Sequence, residues 1–192
     1  MNISNEISNY NEIPEAGCNV IYGSHAASDY LLSICAEIAV QRPLRLLDFG
    51  NRCDMYFTAR QLRMLTHDPV KAMRNIRLQR AFTCYQALSL LQQLEEPEPD
   101  IPVIILDLLA PFLDENIQPR EIDRLFRLSV GRIREAMQIR PLLIGVKPVP
   151  HRLERTRMGL LKWLTNEFGM LRLSESGNVE LPEPETAQPM LF

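Results

Sequence analysis

Val103-Ile104-Ile105-Leu106-Asp107-Leu108-Leu109 is aliphatic at every position except Asp107. A strand with one face in water alternates apolar and polar side chains, whereas a strand covered by helices on both faces is aliphatic throughout. The run therefore predicts a central strand of a parallel sheet that ends near a carboxylate. It is the longest apolar candidate in the chain and falls far short of the roughly 20 residues of a membrane span, so no crossing of a bilayer is expected.

On either side of this run, segment types alternate. Asn19 to Gly23 is a short apolar run, followed from Ser28 to Val40 by Leu31, Leu32, Cys35, Ile38 and Ala39 at helical spacing. Leu44 to Phe49, behind Pro43, and Asn75 to Ala81 are further strand candidates. Thr58-Ala59-Arg60-Gln61 and Thr83-Cys84-Tyr85-Gln86 have the form of capping boxes, and Asp68-Pro69 combines an N-cap with a first-turn proline. The second box leads a helix through Leu88, Leu91 and Leu94 that stops in the acidic, proline-punctuated stretch Glu95 to Asp100. An amphipathic helix from Arg120 to Arg140 behind Pro119 buries Ile122, Leu125, Phe126, Ile133 and Met137, and Pro141 to Val146 is a fifth strand. Strand–helix alternation of this kind predicts a doubly wound α/β sheet. Beyond Lys147 a basic helix, Arg152 to Phe168, precedes Met170–Leu173 and Val179–Leu181, two runs placed to form a terminal hairpin.

Composition agrees with one sizeable core: 192 residues, 46% hydrophobic and 23% charged, with 8 Gly and 14 Pro, which excludes disordered, collagen-like and disulfide-scaffold classes. The predicted organisation is a polar, mobile segment 1–16, a single domain 17–181 and an acidic, proline-rich tail 182–192. The polar start has no basic region and does not read as a signal peptide. Cys18, Cys35, Cys53 and Cys84 form no C-x-x-C pair, which favours reduced, buried thiols in a cytoplasmic protein over zinc or redox chemistry. The net charge of −3 conceals segregation: residues 1–41 contain five acids and no Lys or Arg, whereas residues 42–80 sum to +6 and residues 120–162 to +7. Eighteen of the 21 cations are arginine, the side chain whose planar fork suits phosphates and carboxylates.

In a doubly wound sheet ligands bind at the carboxyl ends of the strands, so the first strand-to-helix turn is the place for phosphate-binding chemistry. That turn is Gly23-Ser24-His25-Ala26-Ala27-Ser28-Asp29-Tyr30. Against G-x-x-x-x-G-K-[ST] it keeps Gly23; Ser28 stands for the second glycine, Asp29 for the lysine and Tyr30 for the magnesium-binding hydroxyl residue. The order of elements, the string Asn75-Ile76-Arg77-Leu78-Gln79-Arg80-Ala81-Phe82-Thr83, the strand Val103 to Asp107 and their spacing from Gly23 resemble the ATPase core of the RecA/RadA recombinase superfamily over about residues 17–147. The likeness is greatest to its short paralogues that do not exchange strands. The resemblance implies a RecA-like P-loop NTPase core, a mostly parallel sheet flanked by helices, here with a C-terminal hairpin.

Carried over residue by residue, the resemblance predicts a degenerate site. The phosphate-cradling lysine falls on Asp29; like charges about 4 Å apart repel by about 4 kcal/mol at an effective dielectric of 20. The catalytic glutamate falls on Gly50, within Asp48-Phe49-Gly50-Asn51, which removes the water activator. Asp107 is retained where the family orders magnesium, although a strand-end carboxylate bonded to backbone amides is the competing reading. The polar sensor falls near Lys147. The glycine-rich DNA-binding loop is replaced by Pro148-Val149-Pro150 and the basic His151, Arg152, Arg155, Arg157 and Lys162.

No catalytic residues, no cofactor (neither ATP nor magnesium) and no metal site are therefore expected. His67 beside Asp68 is explained by a helix cap, Ser24, Ser28 and Ser33 lack a plausible geometry with His25, and Trp163 reads as packing rather than a base-stacking platform. Asn51-Arg52-Cys53-Asp54, after the second strand, has two readings, a loop that binds an anion or a partner and an Arg52–Asp54 loop pair, of which the pair is preferred. The expected function is that of a non-catalytic, pseudo-ATPase recombinase paralogue, an interaction factor in DNA recombination or repair. Its expected partner is another protein, for instance a second RecA-like chain or a copy of itself, in the cytoplasm, at the nucleoid or in a nucleus. The alternatives are a DNA-binding module using Arg152, Arg155, Arg157 and Lys162, and a residual ATP-binding switch.

Overall fold

A computed structural model of the chain describes residues 17–95, 101–168, 171–173 and 179–180. The predicted mobile segment 1–16, the tail 182–192 and most of the acidic stretch after Glu95 lie outside the described residues. In chain order the elements are β1 (Gly17–Tyr22), α1 (His25–Gln41), β2 (Leu44–Asp48), α2 (Met55–Leu65), α3 (Pro69–Arg74), β3 (Ile76–Arg80), α4 (Cys84–Gln92), β4 (Val103–Leu106), α5 (Pro119–Ala136), β5 (Pro141–Val146), α6 (Glu154–Phe168), β6 (Leu171–Leu173) and β7 (Val179–Glu180).

The strands form one sheet in the order β3-β2-β4-β5-β1-β6-β7. All neighbours run parallel except β6 and β7, which pair antiparallel as the predicted hairpin. Every residue of β2, β4 and β5 is buried, as the uninterrupted aliphatic pattern requires. Side chains alternate between two cores. Ile21, Leu44, Leu46, Ile104, Leu106 and Leu143 meet α1, α2 and α3 on one face, while Val20, Leu47, Val103, Ile105, Leu142 and Ile144 meet α4, α5 and α6 on the other. The molecule is thus a three-layer α/β/α domain over the described residues. Among these residues no helix is long and apolar enough to cross a membrane.

The helix signals were legible to different degrees. Asp68 caps α3 by accepting from the Lys71 amide at 3.0 Å, with Pro69 in the first turn. Thr83 caps α4 through the Gln86 amide, and the Gln86 side chain reciprocates by accepting from the Phe82 amide. The box expected at Thr58 is not a cap. Helix α2 opens three residues earlier at Met55, where Asp54 Oδ1 accepts from the amides of Tyr56 and Phe57; Thr58, inside the helix and fully buried, donates its hydroxyl to the Asp54 carbonyl. A carboxylate captures two amides at once, which places the cap at Asp54 rather than at the threonine.

Candidate functional site at the carboxyl edge of the sheet

The helices following β1 and β2 pack on one face of the sheet and those following β4 and β5 on the other. Where neighbouring strands send their connections to opposite faces, a crevice opens at their carboxyl ends. With the helix after β3 also on the α5 side, three such boundaries exist, between β3 and β2, between β2 and β4 and between β5 and β1. They gather Gly23 and Asp29 after β1, Asp48, Gly50 and Arg52 after β2, Asp107 after β4 and Lys147 after β5.

The turn after β1 is shorter than the phosphate-loop alignment requires. Strand β1 ends at Tyr22 and α1 begins at His25, so Gly23 and Ser24 alone connect them, and the Gly23 amide is held by the Val146 carbonyl at 3.1 Å. Ser28, Asp29 and Tyr30, aligned with the end of a phosphate loop, all lie within α1. Ser28 is buried and Asp29 exposed; the Asp29 carbonyl accepts from the Ser33 hydroxyl. The Asp29 charge is felt by Lys147 across the crevice.

After β2, Asp48 organises the turn. Its side chain is fully buried; Oδ1 accepts from the Arg52 amide at 2.8 Å and Oδ2 from the Cys53 amide at 3.1 Å. Oδ2 also takes the Arg80 Nε at 3.2 Å, across the β2–β3 register in which the two residues are partners. The role of Asp48 does not follow from the phosphate-site resemblance. The available signal is an aspartate closing an aliphatic strand, separated by Phe49 from Gly50-Asn51. Arg52 does not form the expected loop pair with Asp54, because Asp54 is committed to capping α2; its charge acts instead on Asp107 and Lys147.

Asp107 and Asn51 are the two non-glycine residues with positive φ among the described residues, at 57° and 51°. Aspartate and asparagine tolerate this left-handed region better than other side chains. In this conformation Asp107 turns back over Gly50. A Cβ built on Gly50 would meet Asp107 Cβ and Oδ2, each at 2.7 Å, and Arg52 Cγ at 3.1 Å. Burial lifts the Asp107 carboxyl above its ordinary value of 3.8, against the opposing charges of Lys147 and Arg52 and a hydrogen bond from the Lys147 amide. Lys147 is half-buried and its ammonium is pushed below 10.5, first by burial and next by Arg52, with Asp107, Asp29 and Asp48 opposing.

The crevice therefore gathers three carboxylates (Asp29, Asp48, Asp107) and three cations (Arg52, Arg80, Lys147), of which Asp48 and Arg80 form an ion pair at 3.2 Å and Asp48 also holds the turn after β2 through two amides. No group of three or more His, Cys, Asp and Glu side chains arranged to hold a metal ion exists among the described residues.

The basic segment after β5 is not a uniform surface. Arg157 is 3% exposed, and its Nη2 donates to the carbonyls of Asp114 at 3.0 Å and Ile117 at 3.3 Å. It ties α6 to the loop before α5 and is withdrawn from the candidate nucleic-acid contacts, because its helical position points inward and both carbonyls need a donor. Arg152 lies 3.1 Å from Glu115, while Arg155 and Lys162 are exposed. Trp163 packs edge-on against Phe126 with centroids 5.5 Å apart and carries Arg127 over its ring, which agrees with the packing reading. All four cysteines are free, Cys35 and Cys84 fully buried. Compared with known proteins, the chain matches no family model and no curated protein.

Proposed function

We propose that this chain is a non-catalytic RecA-like protein, a recombinase paralogue that works by binding another protein in DNA recombination or repair. The reading rests on the resemblance in element order and strand-end residues. The observation that carries its non-catalytic part is the packing of Gly50 against Asp107: the place the resemblance reserves for a catalytic glutamate side chain is filled by the carboxylate of the next strand. Two further features support it. The resemblance aligns an acid, Asp29, with the phosphate-binding lysine, and the connection after β1 is two residues long, which leaves no room for a phosphate loop.

A domain that keeps this architecture without nucleotide chemistry has its surfaces left to offer. Within the segment after β5, DNA contact is left with Arg155 and Lys162, Arg157 being buried and Arg152 shared with Glu115; the exposed cations of 42–80 lie beside apolar side chains, which favours a protein partner. Steady-state hydrolysis assays test the reading. The parent protein and Asp29→Lys are both expected to show no magnesium-dependent ATP turnover, since the lysine alone supplies no base. Robust turnover in either would overturn it.

A further inference from the structure

On the α1 face of the sheet, α2 and α3 leave between them a groove of about 370 Å³ lined by Ala59, Arg63, Pro69, Val70, Met73 and Arg74. Its floor is apolar and its rims are the two arginines. Val70 is 63% exposed at the groove, and Tyr56 (88%) and Met64 (80%) are further exposed apolar side chains of α2. Exposed apolar side chains clustered in this way mark contact surfaces.

Charge narrows the choice of occupant. From Met55 to Arg80 the sequence contains one acid, Asp68, and its carboxylate caps α3. Arg60, Arg63, Lys71 and Arg74 are all exposed, and none of them forms an ion pair among the described residues. A polyanionic nucleic acid would engage the rims and leave Val70, Met73 and Pro69 uncovered. A second copy meeting this face symmetrically would set arginine against arginine. An amphipathic helix with apolar side chains at i, i+4 and i+7 and carboxylates beside them satisfies floor and rims together.

We infer that the α2–α3 groove docks an acidic amphipathic helix of a partner protein. The inference rests on the protein-binding reading above and gives it a surface and a partner chemistry. Val70 and Met73 receive the apolar stripe, and Arg63 and Arg74 receive the flanking carboxylates.

The test is fluorescence anisotropy with the 192-residue chain and a labelled acidic peptide carrying leucines at i, i+4 and i+7 with glutamates between them. Saturable binding is expected, weakening as salt rises through the physiological range, and falling at least about tenfold in Val70→Asp and in Arg63→Glu. Both positions are exposed, so circular dichroism should show both variants folded. Absence of saturable binding overturns the inference, as does equal binding of a scrambled peptide of the same composition. Two further results reassign the groove and equally overturn it: self-association that Val70→Asp abolishes, and peptide binding that emerges only after deletion of residues 1–16. A DNA oligonucleotide that binds more tightly than the peptide and is lost in the same variants would do so too. Failure of peptide binding with hydrolysis still absent removes this surface and leaves the proposed function standing; ATP turnover with peptide binding intact does the reverse.

Discussion

A Cβ on Gly50 would lie 2.7 Å from both Cβ and Oδ2 of Asp107, so the ends of β2 and β4 interlock only while position 50 carries no side chain. Asp107 reaches this place through its φ of 57°, and neighbouring backbone bonds, Phe49 N to Leu106 O and Leu108 N to Gly145 O, both 3.0 Å, fix the strand ends on either side. The substituent therefore has nowhere to go without moving backbone. Gly50→Ala is expected to cost about 1–3 kcal/mol, the range for forcing atoms into a packed site, and Gly50→Glu at least as much. Urea denaturation checks this; an unchanged midpoint in Gly50→Glu would mean that the turn is open.

Asp107 gives a pH dependence with a definite sign. Its folded-state carboxyl is raised, chiefly by burial, so the folded state holds the proton more tightly than the unfolded state. Its ionisation opposes folding, and stability is lost as pH climbs from about 4 through the raised folded value. Asp107→Asn keeps the shape and the tolerance of left-handed φ and removes the titration. The stability of the variant relative to the parent should rise with pH over that window, read from thermal midpoints in matched buffers. A difference that is flat with pH would contradict the assignment.

Arg157 is expected to behave as a strut. Arg157→Ala leaves the carbonyls of Asp114 and Ile117 without their donor and should cost about 2 kcal/mol or more, since hydrogen bonds from charged groups are worth about 1.5–3 kcal/mol. DNA retention on a filter at low salt should be no weaker than in Arg157→Lys at equal folded fraction. A selective loss of DNA retention with stability unchanged would return Arg157 to the surface.

The thiols provide a check on the core. Burial pushes Cys18 and Cys35 up to about 12, and burial followed by the Asp48 charge pushes Cys53 up to about 11. With almost no thiolate at pH 8, the native protein should react slowly with an aromatic disulfide reagent, half-buried Cys53 first, and release four equivalents after unfolding. Labelling of the native protein as fast as of the denatured one would contradict the packing described.

The sheet was legible because its signal is repetitive. Val103 to Leu106 and Pro141 to Val146 are aliphatic on both faces, and only one environment rewards that pattern. Element ends were less so: the box at Thr58 pointed to a cap there, whereas Asp54, read as a partner of Arg52, takes the first amides of the helix. The site was partly legible. Asp29, Gly50, Asp107 and Lys147 were picked out by carrying over the family resemblance, and the fold brings them to one edge. Their mutual use was not, because the contact between Gly50 and Asp107 spans two strands far apart in sequence, and the burial of Arg157 is settled by helix phase against a loop 40 residues away.

The claim that the carboxyl edge holds itself together instead of a nucleotide is tested most directly by titrating the purified protein with a fluorescent ATP analogue and magnesium to millimolar concentration. The account predicts no saturable binding. Saturable binding that disappears in Asp107→Ala would contradict it, because the edge would then be cradling phosphate.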